Sequence, residues 1–156
     1  MKLIKHVLLA TDGSENALHA ASFAADMARM VGAEMTIMTV HNEDAIMLNA
    51  MGPALWPGTV PYSAMQPEEI RSAVEANGDE TIIAPAAQAC SDRAQLRPSV
   101  QLWGHAAEEI CRWAGDNDVD IIFLGTRGRS SFTKLLLGSV SSQVASHAPC
   151  PVTLVR

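Results

Sequence analysis

The run Ile121–Val140 reads IIFLGTRGRSSFTKLLLGSV. Its first four residues, Ile121–Leu124, are apolar and rich in β-branched chains, the pattern of a buried strand. Gly125 breaks the run, and Gly128 follows three residues later. A basic, hydroxyl-rich stretch comes next: Arg127, Arg129, Ser130, Ser131, Thr133 and Lys134. Nine residues separate Gly128 from Gly138, and Ser139 then opens a new helical pattern. Glycines leave backbone N–H groups bare, and a helix start adds unpaired N–H groups at a positive dipole end. Strand, glycine loop and helix start together predict an anion site, best suited to phosphates.

The same strand-then-helix alternation runs through the rest of the chain. His6–Thr11 (HVLLAT) predicts a first buried strand, followed by the turn residues Asp12, Gly13 and Ser14. The stretch 14–31 predicts a helix with a small-residue face of Ala17, Ala21, Ala24, Ala25 and Ala28, ended by Gly32. Glu34–His41 is the second strand. Residues 42–66 hold Pro53, Pro57 and Pro61 among Met47, Met51, Trp56 and Met65. No period of 2 or 3.6 survives there, which predicts a long loop covering a ligand mouth or a partner surface. Pro67 opens a helix that runs to Gly78 or resumes through 81–90, where Pro85 should kink or restart it. A third strand over 99–103, a helix over 106–114, a fourth strand over 119–124, a helix over 138–147 and a fifth strand, Pro151–Val155, complete the chain.

This order, β-α-β-α-β-α-β-α-β, predicts one α/β domain over residues 1–156: a doubly wound, five-stranded parallel sheet, Rossmann-like, with helices on both faces. In such sheets ligands gather at the carboxyl ends of the strands, at the topological switch point. Asp12 and Gly13, Val40 and His41, and Gly125 to Ser139 would meet there.

Composition narrows the function. The chain has 156 residues and a net charge of −6, which argues against general nucleic-acid binding. Aromatics make up 4%, so the core must be aliphatic. Three cysteines without a CxxC predict a reduced, cytoplasmic protein, with Cys111 and Cys150 as small core residues. No apolar run reaches 18 residues and the first ten residues read as a strand, so neither membrane insertion nor a signal peptide is expected.

The spacing Gly125, Gly128, Gly138, Ser139 is G-x2-G-x9-G-[ST]. It is neither a Walker A motif nor the GxGxxG fingerprint. GTRGRSSFTKLLLGSVS resembles the nucleotide-binding segment of the universal stress protein family, in its ATP-binding branch. The resemblance extends to ATDGS after strand 1, the DVDIIFLG strand and the closing PCPVTLVR. It implies an ATP- or AMP-binding regulator, usually a homodimer, with strand order 3-2-1-4-5. It further implies that Gly125 and Gly128 lie along ribose and phosphates. Gly138, Ser139 and the N–H of Val140 would cradle the phosphate tail, and the main chain of Val40 would read the adenine edge. His105 stands after Gly104, where the family commonly has proline.

Individual residues keep alternatives. Asp12 is placed to accept from a ribose hydroxyl or to hold Mg²⁺ beside phosphates, or else to cap the following helix with Glu15. The resemblance favours the nucleotide role. Arg129, like Arg127 and Lys134, either pairs with phosphates or is a solvated loop charge. Ser141 and Ser142 either contact phosphate or sit in the first helical turns. The role of His41 is open. No HExxH, GxSxG or paired metal-ligand spacing is present, so no catalytic set is named. Strand 5 is apolar and would lie at a sheet edge, where antiparallel pairing of two copies makes a C2 dimer. The leading expectation is an ATP-binding regulatory protein of stress response, with a homodimer or an unidentified protein partner transmitting its state. The alternatives are a slow ATPase or phosphotransferase at the same site, and an interaction module whose glycines are structural.

Overall fold

The computed structural model describes residues 3–42, 65–126 and 138–156. Most of the expected loop after strand 2 (residues 43–64) lies outside the described residues, as does the span 127–137.

The strands are β1 (His6–Ala10), β2 (Glu34–His41), β3 (Gln95–Leu96), β4 (Val100–Trp103), β5 (Ile121–Gly125) and β6 (Val152–Val155). All pairings are parallel. The order is β3-β2-β1-β5-β6, with β4 also paired to β2. The expected five-position order therefore holds, with its third position filled by a strand in two pieces.

The break has a local cause. Leu96 pairs with Met35 and Val100 with Met38, so four steps on one strand face three on the other. That is a one-residue bulge. The N–H of Arg97 still bonds the Met35 carbonyl at 2.8 Å, but Pro98 has no N–H to continue the ladder. A two-residue strand ahead of a proline carries no readable period, which is why the sequence pattern missed β3.

Helix α1 (Glu15–Val31) is capped by Ser14, whose Oγ accepts from the Ala17 N–H at 3.3 Å. It ends at Gly32 with φ of 70°, the left-handed conformation that glycine tolerates. Its buried face is six alanines, Ala17, Ala20, Ala21, Ala24, Ala25 and Ala28, which lets the helix lie close on the sheet. Helix α2 (Pro67–Gly78) has Pro67 in its first turn, with the Gln66 N–H bonded to Glu69 at 2.8 Å. A π-helical turn, Asp79–Ile83, joins it to α3 (Ala84–Cys90). Pro85 causes this turn: it offers no N–H to Thr81 four residues back, and its ring crowds that carbonyl. The expected kink at Pro85 is thus a local widening of one helical path. Helix α4 (Ala106–Asp116) follows β4, and α5 (Ser139–His147) precedes β6.

Two apolar layers sandwich the sheet. Val7, Leu9, Met35, Ile37, Ile121 and Phe123 meet α1 and α3 on one face. Leu8, Met38, Ile122 and Leu124 meet α4 and α5 on the other. Each fully buried large side chain contributes roughly 1.5–3 kcal/mol of apolar burial.

His6 is buried within this frame, with 4% of its surface exposed. Its Nδ1 lies 3.1 Å from the Asn117 carbonyl, which can only accept. Nδ1 therefore carries the proton in the neutral ring, and Nε2 accepts from the Thr36 hydroxyl at 2.9 Å. Burial pushes the imidazole pKa down, opposed by the Asn117 bond. The folded state thus binds its proton less readily than the unfolded chain, whose value is about 6.5. The His6 contribution to stability is full above that value and is lost as pH falls through the lower folded pKa. Denaturant titrations of the wild type and His6→Gln across this range should show the wild type losing more stability on acidification. Parallel losses would rule out this titration.

Candidate functional site

The chain passes from β1 through α1 to β2 on one side, and later crosses from β4 through α4 to β5 on the other side of β1, so the carboxyl ends of β1 and β5 border the switch point. Ala10 is in register with Met38 on β2 and Leu124 on β5. Two residues further on, the same row carries Val40, Asp12 and Thr126. Pairing therefore places three of the expected site segments side by side.

Val40 is oriented by the ladder. In a parallel sheet, alternate residues turn their main-chain groups to the same neighbour. The Met38 carbonyl accepts from the Thr11 N–H at 2.9 Å, whereas the His41 carbonyl accepts from the Gly104 N–H, on the β4 side, at 2.9 Å. Val40 therefore turns toward β1, at the level where β1 has given way to Asp12 and Gly13. The Gly13 N–H, which would continue the ladder to the Val40 carbonyl, bonds the Thr11 hydroxyl at 3.2 Å instead.

Asp12 is half-buried, and its Oδ1 accepts from the Ser14 N–H at 3.0 Å. This Asx-type turn holds the carboxylate at the strand end. The cap of α1 is Ser14, so the alternative of Asp12 capping with Glu15 gives way to this arrangement. Gly13 has φ of 76°, which an L side chain rarely adopts.

Gly125 ends β5 against the first turn of α1. A Cβ there would lie 2.9 Å from the Ala17 nitrogen and 3.0 Å from the Asn16 carbonyl carbon. The absent side chain is thus needed for packing, whatever else this residue does.

Both ends of the glycine motif converge. The Gly138 N–H bonds the Thr126 carbonyl at 2.8 Å, and the Ser141 hydroxyl reaches the same carbonyl at 3.1 Å. Gly138 is the N-cap of α5, with an extended backbone and no side-chain cap. The first intrahelical bond runs from Ser142 N–H to Gly138 O at 3.0 Å. Because the Gly138 N–H is taken up by Thr126, the helix-start donors left are those of Ser139, Val140 and Ser141, of which Ser139 and Val140 are exposed. Ser141 is buried, and its hydroxyl ties the helix to the residue after the strand through the Thr126 carbonyl, with the Gly138 carbonyl also in reach. Gly128 and Arg129, with Arg127, Ser130, Ser131, Thr133 and Lys134, lie outside the described residues.

Sequence reasoning missed Thr126. Its main chain joins the two halves of the motif and also bonds the Val155 carbonyl at 2.8 Å. Its side-chain hydroxyl is buried and without a hydrogen-bond partner among the described residues. His41 is buried as well, with Nε2 2.6 Å from Gln101 Oε1. Among the described residues, no three of His, Cys, Asp and Glu are grouped as a metal site. An open cavity of about 560 Å³ lies at the opposite, amino edge of the sheet, lined by Lys5, His6, Arg97, Asn117, Asp118 and Asp120. It mixes both signs of charge and stands at the sheet end where ligands do not gather. Among the described residues, no helix is long and apolar enough to cross a membrane.

Known proteins share both sequence and fold. The chain is 32% identical over 155 residues to a universal stress protein of Thermus aquaticus, covering 99% of this chain and all of the relative. The solved structure of the hypothetical protein MJ0577 superposes with a TM-score of 0.78 at 22% identity, covering 99% of this chain and 96% of that one. The universal stress protein of Archaeoglobus fulgidus in complex with dAMP superposes at 0.61 with 23% identity, covering 99% and 100%. A universal stress protein in complex with cAMP superposes at 0.63 with 21% identity, covering 99% and 98%. At these identities the structural likeness is one of fold. The model of the universal stress protein family matches residues 3–156. With that span and a relative matched end to end, the chain belongs to the universal stress protein family.

Proposed function

We propose that the chain binds an adenine nucleotide, ATP or AMP, at the carboxyl edge of β2, β1 and β5, and acts as a nucleotide-dependent regulator of stress response. The observation that carries this reading is the start of α5. It is an uncapped helix N-terminus pinned by Gly138 N–H to the end of β5, with the Ser139 and Val140 donors exposed beside it. Such a terminus favours phosphate through its unpaired N–H groups and its dipole. The Val40 main chain would read the base, and Asp12 would take a ribose hydroxyl. Gly128 and Arg129 belong to the same reading as phosphate-loop residues. The cAMP and dAMP complexes of two fold neighbours support the adenine choice.

Asp12 also has the chemistry to share Mg²⁺ with bound phosphates, since this ion is commonly held by one or two carboxylates plus phosphate oxygens. The working form would be a cytoplasmic homodimer joined through β6, whose four residues are half-buried at the end of the sheet order.

The deciding experiment is mass spectrometry of the small molecules released on denaturing the purified protein, followed by calorimetry with ATP and Mg²⁺. An adenine nucleotide released by the protein, or saturable heat with ATP, is the expected result. No released nucleotide and no heat at millimolar ATP would sink the reading. Following bound ATP over hours separates a holder of nucleotide from a slow ATPase.

A further inference from the structure

The helical path from Pro67 to Cys90 touches both sides of the base end of the candidate site. On the β1 side, a Cβ at Gly13 would lie 3.2 Å from the Thr81 carbonyl oxygen and 3.3 Å from Ile82 Cγ1. Both belong to the π-helical turn that Pro85 imposes, and Gly13 directly follows Asp12. On the β2 side, the contact is Gly78, whose φ of −62° and ψ of −40° are helical. Helix propensity favours alanine over glycine at such a position. A Cβ there would lie 2.6 Å from Gln101 Oε1 and 2.9 Å from His41 Cε1, so those side-chain ends would have to shift.

The His41–Gln101 pair is held from several directions. Gln101 Nε2 donates to the Glu75 carbonyl at 3.1 Å and to Asp79 Oδ1 at 2.8 Å. Those acceptors orient the amide, so Oε1 faces His41 and accepts from its Nε2. The imidazole lies 5.0 Å from the Trp103 ring, and the indole N–H donates to Glu75 Oε1 at 2.8 Å. His41 and Gln101 are 60 residues apart in sequence, yet they fasten the end of β2 to β4 and to the end of α2. His41 follows Val40 directly, and side chains alternate along a strand, so the imidazole and the Val40 side chain lie on opposite faces.

We propose that His41 and Gln101 are positioning residues for base recognition. They set the Val40 main chain at the end of β2 through their contact with the helix at Gly78, while the π-turn seats the Asp12–Gly13 loop opposite. The proposal rests on the adenine-nucleotide reading of this edge. Its physical basis is tolerance: main-chain hydrogen bonds to a base edge need their groups held to about 0.5 Å, and a hydrogen-bonded side-chain network supplies that hold.

Gly78→Ala tests it without weakening the helix, because the added methyl group displaces the pair while raising helix propensity. Calorimetry on the full chain compares ATP with inorganic tripolyphosphate, which has the phosphates but no base. The expected result is ATP binding about tenfold weaker, the loss of one or two main-chain hydrogen bonds, with tripolyphosphate affinity unchanged. His41→Phe keeps a ring against Trp103 but removes the Nε2 donor. It should show the same split, and it carries the test if Gly78→Ala does not fold. Unchanged ATP affinity in the folded variants, or equal loss for both ligands, overturns the positioning role alone. A wild-type chain that binds neither ligand overturns the nucleotide reading and this inference with it.

Discussion

Gly125→Ala is expected to lower the unfolding free energy by about 2 kcal/mol, the cost of forcing a methyl group into a packed contact. For a domain of this size that corresponds to a fall of about 4–8 °C in melting temperature. The new Cβ would meet the Ala17 nitrogen at 2.9 Å and the Asn16 carbonyl carbon at 3.0 Å. Both are backbone atoms of the first turn of α1, a turn already fixed by the Ser14 cap. Relief requires moving the helix away from β5, across the alanine face that lets it lie close. Thermal melting by circular dichroism reads the effect directly. A melting temperature within a degree of wild type would mean that the close approach of α1 to β5 is not as described.

Ser139→Pro should do the reverse, leaving stability nearly untouched while damaging binding. Ser139 is the first residue of α5, where proline fits the helix and the lost N–H has no intrahelical partner. Gly138 precedes it with ψ of 155°, the extended conformation that a residue before proline prefers. Stability should therefore stay within roughly 0.5 kcal/mol of wild type. One charge-assisted donor to phosphate would be gone, worth about 1.5–3 kcal/mol, or roughly 10- to 100-fold in ATP affinity. Adenosine, lacking phosphate, should bind both proteins alike. Full ATP affinity in a folded Ser139→Pro protein would remove the start of α5 from the site.

These two substitutions separate roles that the motif G-x2-G-x9-G-S presents as one. Gly125 makes room for a helix from the start of the chain. Gly138 gives its N–H to Thr126, and Ser141 ties the same carbonyl. The exposed donors left for an anion are those of Ser139 and Val140. Spacing alone does not distinguish these uses, because each depends on an atom brought near by folding.

Much of the architecture was readable beforehand. Apolar runs alternating with helical periods point to a parallel sheet covered on both faces, and the two layers at α1–α3 and α4–α5 have that form. Where the reading fell short, the causes are specific. β3 is too short to carry a period, and Pro98 interrupts the run that would have joined it to β4. The helix through Pro85 continues because a π-turn absorbs the missing N–H, a solution that depends on what packs against it. Gly78 is the last residue of α2, as expected, but its contact with His41 and Gln101 could not be read from the sequence.

What the sequence by itself determined is the class of fold and which segments end at the carboxyl edge of the sheet. Periodicity and turn chemistry are local properties, written in neighbouring residues. The tertiary structure decided which helix-start donors stay exposed, which glycines serve packing, and that one helical path meets both Gly13 and His41. Those are distances between atoms far apart along the chain, and they exist only once the sheet has set its register.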